Sequence, residues 1–304
     1  MSGTRRLFLR QALGALPLLS PSRAQTLGHR SLYFTVEEGD RLITGLGEAQ
    51  FRVFEDGQPA AFRLLEPERP VLVTALIEYS QASGLYLNDI ATAARELMDA
   101  APEGNWYSLA TYSQELQIVK DFTRMKGEIL ASFQELGQPF WGEVNTYDAV
   151  FEILEKLEFL PGRKVIVLIG SGLNTLSRQT MSEVQKKAEA AALNIFVMAA
   201  GTLLRGQYDA YLDQVSRMNL LQAEAFLNML AKKTGGQAFF PKFETAYRDI
   251  ARTIFTMLDS QYRLEYESRV KPDNRFHRLR VEARDPREAG KQYTVRVREG
   301  WRWY

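Results

Sequence analysis

Residues 71–83 read VLVTALIEYSQAS, an apolar run that ends abruptly in a carboxylate and small hydroxyl side chains. A continuous apolar run of this length is typical of a strand that is buried on both faces of a sheet. Two similar runs follow, KVIVLI at residues 164–169 and NIFVMA at residues 194–199. The sequence therefore predicts three buried strands of one sheet, with polar side chains directly after the first of them.

Helical patterns separate these strands. Apolar residues recur at helical spacing after the first strand, and Pro102 and Gly104 end that pattern. Further helices are predicted over residues 124–136, 147–158, 181–192, 221–233 and 243–258. Apolar strands that alternate with helices of about a dozen residues indicate an α/β fold. We expect a doubly wound, mostly parallel sheet of the Rossmann-like kind, with helices on both faces.

The two ends of the chain carry a different pattern. Polar and apolar residues alternate, as in half-buried strands, at residues 32–34, 50–54 and 62–65 and again at residues 262–267, 278–283 and 293–298. Neither flank is long enough to bury a core of its own, so we expect the two to pair in a small β-sandwich. The predicted division is an export signal at 1–24, a β flank at 25–69, an α/β domain at 70–259 and a second β flank at 260–304.

Composition excludes several kinds of site. The chain of 304 residues has no cysteine, so a disulfide, a thiolate metal site and a cysteine nucleophile are impossible. Its two histidines, His29 and His277, lie far apart in the sequence. This argues against histidine-ligated zinc and against most histidine-based acid–base chemistry. We expect both histidines to lie at the surface.

The amino terminus has the order of an export signal. MSGTRRLFLRQALGALPLLSPSRA, residues 1–24, places arginines first, then a short apolar stretch and small residues. TRRLFLR resembles the twin-arginine type, which carries folded cargo. The stretch is shorter than the about 20 apolar residues that cross a bilayer. We expect a periplasmic or extracellular protein that does not span the membrane; an amphipathic cytoplasmic helix is the alternative.

Removal of residues 1–24 would take away four arginines and no acidic residue. The formal net charge would then change from +1 to −3. A chain with so little net charge is a poor candidate for binding nucleic acid through bulk electrostatics. We therefore expect no nucleic-acid partner.

Seven strings in order along the chain resemble von Willebrand factor A-type proteins, and more closely the exported bacterial group called VWFA-related. They are GLGEAQFRVFEDGQ (45–58), VLVTALIEYSQAS (71–83), GEVNTYDAV (142–150), KVIVLIGSGLN (164–174), LAKKTGGQAFF (230–240), SQYRLEYE (260–267) and VRVREGW (295–301). The resemblance covers almost the whole chain after the signal. It implies a parallel sheet with a divalent-cation site at the carboxyl ends of its strands, often used for adhesion.

The metal motif of that group is altered here. The group supplies an Asp and two Ser as D-x-S-x-S, a Thr from a second loop and an Asp from a third. In this chain these positions fall on Glu78, Ser80, Ala82, Val144 and Ser171. Only Ser80 is retained, and Glu78 keeps the charge on a longer arm. A lone carboxylate with a hydroxyl is a poor ligand set for a strongly hydrated cation, so we expect no metal and no other cofactor.

The resemblance then implies a binding module without catalysis. We expect a protein or a cell-envelope component to be recognised at the carboxyl edge of the sheet. The predicted binding residues are Glu78, Tyr79, Ser80, Ala82, Ser83, Val144, Asn145, Thr146, Ser171 and Asn174. A purely structural interpretation also exists, in which Ser80 or Ser83 caps the following helix and residues 170–172 form a tight turn.

Two other functions are left open. In the first, Mg²⁺ or Mn²⁺ is held for adhesion by a shifted set consisting of Glu78, Ser80, Ser83 and Thr146. In the second, Ser171 is a hydrolase nucleophile and His277 its base. A nucleophile elbow of the type G-x-S-x-G would need glycine at Ile169 and Leu173, so no specific motif supports the second option.

Two further segments have no assigned role. Residues 201–220 look like a polar insertion that borders the binding face, or else an ordinary amphipathic surface segment. The chain ends in GWRWY, and alternation in a last strand would place Trp301 and Trp303 on one face. Packing over the β flank and a docking site for a partner are both open for these two rings.

Overall fold

The structure is a computed structural model, and it describes residues 28–140, 142–202, 212–288 and 290–303. The predicted export signal at 1–24 lies outside these residues, as do residues 203–211 of the predicted insertion at 201–220. In the part of the chain that is described, no helix is long and apolar enough to cross a bilayer.

The central unit is a mixed α/β structure built on a six-stranded sheet. In spatial order its strands are β11 (Ala238–Phe239), β10 (Leu193–Ala199), β9 (Lys164–Gly170), β6 (Leu72–Glu78), β7 (Trp106–Tyr112) and β8 (Leu116–Thr123). All neighbours pair in parallel except β7 with β8, which form an antiparallel hairpin. The three strands predicted from apolar runs are thus β6, β9 and β10, adjacent at the centre.

Within the described ranges, six α-helices cover the sheet: α1 (Leu87–Ala100), α2 (Lys126–Gln134), α3 (Thr146–Glu158), α4 (Met181–Ala190), α5 (Gln214–Thr234) and α6 (Ala246–Asp259). Helices α3, α4 and α5 share one core with the sheet face that carries Leu72 and Leu76. Helices α1, α2 and α6 pack on the opposite face, which carries Val73 and Ile77. Successive strand residues point to opposite faces, so the apolar run of β6 supplies both cores.

Helix α5 starts earlier than the predicted helix over 221–233. The Asp213 side chain accepts a hydrogen bond from the Ser216 N–H at 2.7 Å and caps the helix at Gln214. At the other end, Gly235 adopts φ +77°, a left-handed conformation that favours glycine. Part of the segment predicted as an insertion is therefore the first two turns of α5, and these turns are mostly exposed.

The amino- and carboxyl-terminal flanks pair with each other in an antiparallel sheet of nine strands. Seven of them follow the order β4 (Gln58–Ala60), β3 (Phe51–Glu55), β13 (Phe276–Arg284), β14 (Gln292–Arg296), β1 (His29–Glu38), β12 (Tyr262–Glu267) and β5 (Phe62–Leu65). The short strands β2 (Arg41–Leu42) and β15 (Gly300–Arg302) pair with β1 and β13.

This sheet differs from the predicted β-sandwich because one strand belongs to both halves. Strand β1 pairs with β12 through its first residues and with β14 through its last ones. The two halves enclose a common core, where Phe34 lies 5.4 Å from Phe51 and 5.5 Å from Tyr262, measured between ring centroids. The flank is therefore one sheet folded over a core.

Candidate functional site

The carboxyl edge of the parallel sheet contains a reversal of strand order. The chain leaves β6 toward β7 on one side, whereas β9, the other neighbour of β6, leads on to β10. Loops after β6 and β9 therefore depart in opposite directions, and open α/β sheets bind ligands at such a point. Glu78 is the last residue of β6, and Ser171 directly follows β9.

The Glu78 carboxylate is fully buried and accepts four hydrogen bonds. Its Oε1 accepts one from the Ser83 hydroxyl at 2.6 Å and one from the Tyr86 hydroxyl at 2.8 Å. Its Oε2 accepts one from the Ser171 N–H at 2.7 Å and one from the Ser171 hydroxyl at 2.8 Å. The carboxylate therefore joins the loop after β6 to the loop after β9.

The phenols around this carboxylate remain protonated. Burial, together with the charge of Glu78, raises the pKa of Tyr86 and of Tyr112. Tyr86 is therefore available as a hydrogen-bond donor at neutral pH. The sequence alone did not indicate either tyrosine as part of the site, although Tyr112 ends β7, the strand next to β6.

Gly170 makes room for the longer side chain of Glu78. A β-carbon at position 170 would stand 2.7 Å from the Tyr112 hydroxyl and 2.8 Å from Glu78 Oε2, closer than real β-carbons approach other atoms. Glycine at the end of β9 is thus required for the carboxylate to reach Ser171. Residues 170–172, where a tight turn was expected, bring the Ser171 N–H and hydroxyl to the Glu78 carboxylate.

The residues present are a poor fit for a divalent cation. A carboxylate has about four lone-pair sites, and those of Glu78 all accept hydrogen bonds. Mg²⁺ would need hard oxygen ligands in an octahedron at about 2.0–2.1 Å, so it would have to displace these donors. Within the described ranges, no three His, Asp or Glu side chains come together as a metal-binding group.

Two members of the alternative metal set are engaged elsewhere. The Ser80 hydroxyl accepts a hydrogen bond from the Ala82 N–H at 3.1 Å and caps the short 3₁₀ helix Gln81–Tyr86. The Thr146 hydroxyl, which is fully buried, donates to the Leu173 carbonyl. Of this set, Ser83 donates a hydrogen bond to Glu78. The structural interpretation, in which Ser80 is a cap, therefore agrees with the geometry.

The second and third loops of the predicted site bind each other. Asn145 Oδ1 accepts a hydrogen bond from the Leu176 N–H at 3.0 Å, and Asn174 Oδ1 accepts one from the Tyr147 N–H at 3.1 Å. Val144 is buried and exchanges hydrogen bonds with Thr175. These side chains hold the edge together from within and offer little to a partner.

Few of the ten predicted binding residues reach the surface. Ala82 is exposed, whereas Tyr79, Ser171 and Asn174 are half-buried and the other six are buried. The Tyr79 hydroxyl donates to the Gly137 carbonyl, which ties the loop after α2 to this edge. The polar residues predicted from the sequence mostly form the interior of this edge, and the residues at its outer surface were not predicted.

Large apolar side chains form that outer surface. Leu85 follows β6 and is 87% exposed, and Leu176 follows β9 and is 71% exposed. Phe140 lies between Gly137 and Asn145, both anchored at this edge. We call the whole set the apolar rim: Leu85, Phe140, Leu176, Val215, Met218, Leu221 and Phe243.

The pairing of Ser171 with His277 that the hydrolase alternative would require does not occur. His277 lies in β13 of the flank, where its Nδ1 is 2.8 Å from Asp56 Oδ2 and its Nε2 is 2.9 Å from Asp273 Oδ1. It is 5% exposed, so the expectation of a surface histidine was wrong. Asp56 lies in the turn after β3, which strand pairing brings to β13.

The two tryptophans near the carboxyl terminus pack on the flank. Trp301 is 2% exposed and donates from its indole N–H to Glu55 Oε1 at 3.0 Å. Its ring centroid is 5.4 Å from that of Trp303, and the Arg30 guanidinium carbon lies 3.1 Å from the Trp301 centroid. The geometry agrees with core packing for Trp301 rather than with a docking site.

Comparisons with known proteins give likeness of structure only. No family model matches the chain, and no curated protein is similar enough to match it. An aerotolerance-related membrane protein from Bacteroides fragilis is 15% identical over 62% of this chain and 99% of its own, with a TM-score of 0.49. BatB from Bacteroides thetaiotaomicron is 17% identical over 63% of this chain and 100% of its own, at a TM-score of 0.46.

A von Willebrand factor type A protein from Catenulispora acidiphila is similar over 93% of this chain and 75% of its own, at 10% identity and a TM-score of 0.48. Because each of these TM-scores is below 0.5, the neighbours carry no argument about function. The resemblance of the sequence to von Willebrand factor A-type proteins therefore stays a prediction.

Proposed function

We propose that the chain is an exported, non-enzymatic binding module that recognises a protein partner through the apolar rim, without a bound metal ion. The position of two rim residues supports this proposal, because Leu85 and Leu176 follow β6 and β9, the strands on either side of the strand-order reversal, where such folds bind ligands. Residues 1–24, with their paired arginines and apolar stretch, support export.

The observation that carries the proposal is an asymmetry in exposed apolar side chains. Nine large apolar side chains are exposed in the described part of the chain, and seven of them belong to the apolar rim. The other two are Met125 and Phe159, which follow β8 and α3 at the opposite edge. Exposed apolar side chains concentrated on one side of a soluble domain mark interaction surfaces.

The polar residues beneath the rim support recognition by shape. Glu78, Asn145 and Asn174 satisfy their hydrogen bonds inside the chain. They hold the loops that carry Leu85 and Leu176 in place, so a partner would meet a pre-organised apolar surface. Pre-organisation lowers the entropic cost of binding.

The described residues favour binding over catalysis. The Ser171 hydroxyl donates to Glu78, and the only hydroxyl–imidazole pairing that the sequence suggested, with His277, is absent. The Ser171 hydroxyl is one of the four donors that hold the Glu78 carboxylate, and its oxygen accepts a hydrogen bond from the Leu173 N–H at 3.1 Å. Both contacts are internal, which supports a structural task for this serine.

A capture experiment with matched variants tests the proposal. The purified chain is crosslinked in an envelope extract and compared with a double variant, Leu85→Ser with Leu176→Ser. The control is Met125→Ser, which removes an exposed apolar side chain at the opposite edge. We expect the double variant to lose at least about fivefold of the captured partner and the control to keep it. Equal capture by the two variants would refute the apolar rim as the recognition surface.

A further inference from the structure

The amino edge of the parallel sheet contains a cleft between the α/β unit and the β flank. Its volume is about 740 Å³, which is in the range of small-molecule sites. Strands β1 and β12 form one wall, and the ends of α3 and α4 form the other. The cleft therefore lies on the opposite side of the sheet from the apolar rim.

The cleft is richer in cations than in anions. Five basic side chains and three acidic ones line it, with histidine left aside. Two of the basic side chains have carboxylate partners: Lys187 Nζ is 2.8 Å from Glu158, and Arg263 Nη2 is 2.7 Å from Glu68. The other three, Arg163, Lys164 and Arg298, make no ion pair with the described residues.

Among the described residues, the hydrogen-bond acceptors of these three cations are neutral. Arg163 donates from Nη2 to the Leu258 carbonyl at 2.7 Å and to Gln261 Oε1 at 2.6 Å. Lys164 donates to the Leu160 carbonyl at 2.6 Å. Arg298 donates to carbonyls at the carboxyl end of α4, a helix terminus that itself favours positive charge. Arg163 and Lys164 thus have no carboxylate at ion-pair distance among the described residues, although Glu68 is near enough to favour both charges.

Arg163 has unused hydrogen-bonding capacity as well. It is 2% exposed, and its Nε and Nη1 have no hydrogen-bond partner within the ranges that the structure describes. The Tyr33 hydroxyl, on a ring whose centroid is 4.7 Å from the Arg163 guanidinium carbon, is also buried without a partner. A buried charge without a counter-charge is costly. Burial lowers the pKa of Arg163 to about 10 and lowers that of Lys164.

We infer that this cleft binds a small multivalent oxyanion, a phosphate-bearing or polycarboxylate molecule, whose charge compensates Arg163 and Lys164. Arginine and lysine are the usual protein ligands of phosphate and carboxylate groups, and hydrogen bonds between ionised groups are the strong ones. The apolar part of the lining, which includes Leu32 and Leu154, leaves room for a small carbon skeleton. This inference is independent of the apolar rim.

Calorimetric titration of the full chain tests the inference. Sodium phosphate and sodium citrate are the two probes, and sodium chloride at matched ionic strength is the reference for unspecific charge effects. We expect at least one probe to bind at a single site. The probe that binds distinguishes phosphate chemistry from polycarboxylate chemistry.

Two variants and a matched control locate the site. Arg163→Gln and Lys164→Gln should each weaken binding of that probe at least tenfold. Arg252→Gln removes one positive charge from an exposed position on α6 and should change the dissociation constant less than twofold. If Arg163→Gln does not fold, Lys164→Gln decides, because among the described residues the Lys164 ammonium donates one hydrogen bond, to the Leu160 carbonyl, whereas Arg163 donates two.

Two results would overturn the inference. One is the absence of binding heat from both probes at millimolar concentration. The other is binding that Lys164→Gln leaves unchanged, or that Arg252→Gln weakens as much as Lys164→Gln does. Each of these results would leave the proposal for the apolar rim untouched, since no rim residue lines the cleft.

Discussion

The two edges of the parallel sheet differ in how far their buried charges have partners within the chain. At the carboxyl edge, the Glu78 carboxylate has four hydrogen-bond donors from its own chain. At the amino edge, Arg163 and Lys164 have no carboxylate partner among the described residues and contact neutral oxygens only. A charge that the chain satisfies by itself needs no ligand, whereas an uncompensated one favours a ligand of opposite charge.

This difference separates two kinds of polar cluster that look alike in a sequence. The carboxyl edge holds the resemblance to a metal site, yet its polar groups are used for internal structure. The amino edge carries no motif: Arg163 and Lys164 are neighbours in the sequence, but the cleft around them is lined by segments far apart in the chain. Residues at the positions of a metal motif can therefore serve to fix two loops to each other.

The largest expected effect tests whether Glu78 is structural. Glu78→Gln replaces an acceptor by an amide group, so that at least one buried donor faces another donor. We expect the free energy of unfolding to fall by about 3 kcal/mol, measured by urea denaturation. The control Glu135→Gln, at an exposed position of the loop after α2, should change it by less than about 0.5 kcal/mol. If Glu78→Gln lowered the free energy of unfolding no more than Glu135→Gln does, the buried carboxylate would not be a structural element of this edge.

A smaller loss is expected when the space beside the carboxylate is filled. The added methyl group of Gly170→Ala would lie within 2.9 Å of Glu78 and Tyr112 atoms. Overpacking of this kind should lower the free energy of unfolding by about 2 kcal/mol. Gly127→Ala, in helix α2 with no atom within 4 Å of the new methyl group, should be neutral or slightly stabilising. Equal stability of the two variants would contradict the tight packing of the edge.

His277 is a buried basic group with two carboxylate partners, Asp56 and Asp273, unlike Arg163 and Lys164. Although burial opposes it, hydrogen bonds to Asp56 and Asp273 raise the pKa of His277 above its ordinary value. A raised pKa in the folded state means that stability is fully present below about pH 6.5, the unfolded value. It is lost as the pH rises through the folded pKa.

The difference in unfolding free energy between wild type and His277→Gln should therefore be larger at pH 6 than at pH 9. Urea denaturation across this range measures it. A difference that stays constant, or that grows toward alkaline pH, would show that the two aspartates do not stabilise the charged imidazole.

The smallest effect on stability is expected at the apolar rim. Leu85→Ser and Leu176→Ser change side chains that are 87% and 71% exposed, so each should alter the free energy of unfolding by less than about 0.5 kcal/mol. Thermal denaturation checks this. A loss above about 2 kcal/mol at either position would mean that the side chain packs within the fold, and the rim would then be part of the core.

The sequence predicted the sheet well because apolar runs identify buried strands without knowledge of their neighbours. It also placed the end of the first strand within one residue, because the apolar run ends at Ile77 and β6 ends at Glu78. The partners of Glu78 could not be predicted, because Ser171 is 93 residues away and meets it only through the register that pairs Ile77 with Ile169. His277 was missed for the same reason, since Asp56 is 221 residues distant.

Burial was the second quantity that the sequence could not supply. Ser80 and Thr146 look like metal ligands in a motif, but whether a hydroxyl faces an ion or a backbone group depends on loop geometry. The exposed side chains of the apolar rim look like core residues in the sequence. Only the folded loops show that Leu85 points away from the core.

Titration of the purified chain with MnCl₂ and MgCl₂ tests the central claim, that hydrogen bonds have replaced a cation at Glu78. Isothermal calorimetry with Glu78→Gln as the reference provides the measurement. We predict no heat beyond dilution at millimolar concentration of either ion, for the wild type as for the variant. Stoichiometric binding of one ion by the wild type, lost in Glu78→Gln, would contradict the account.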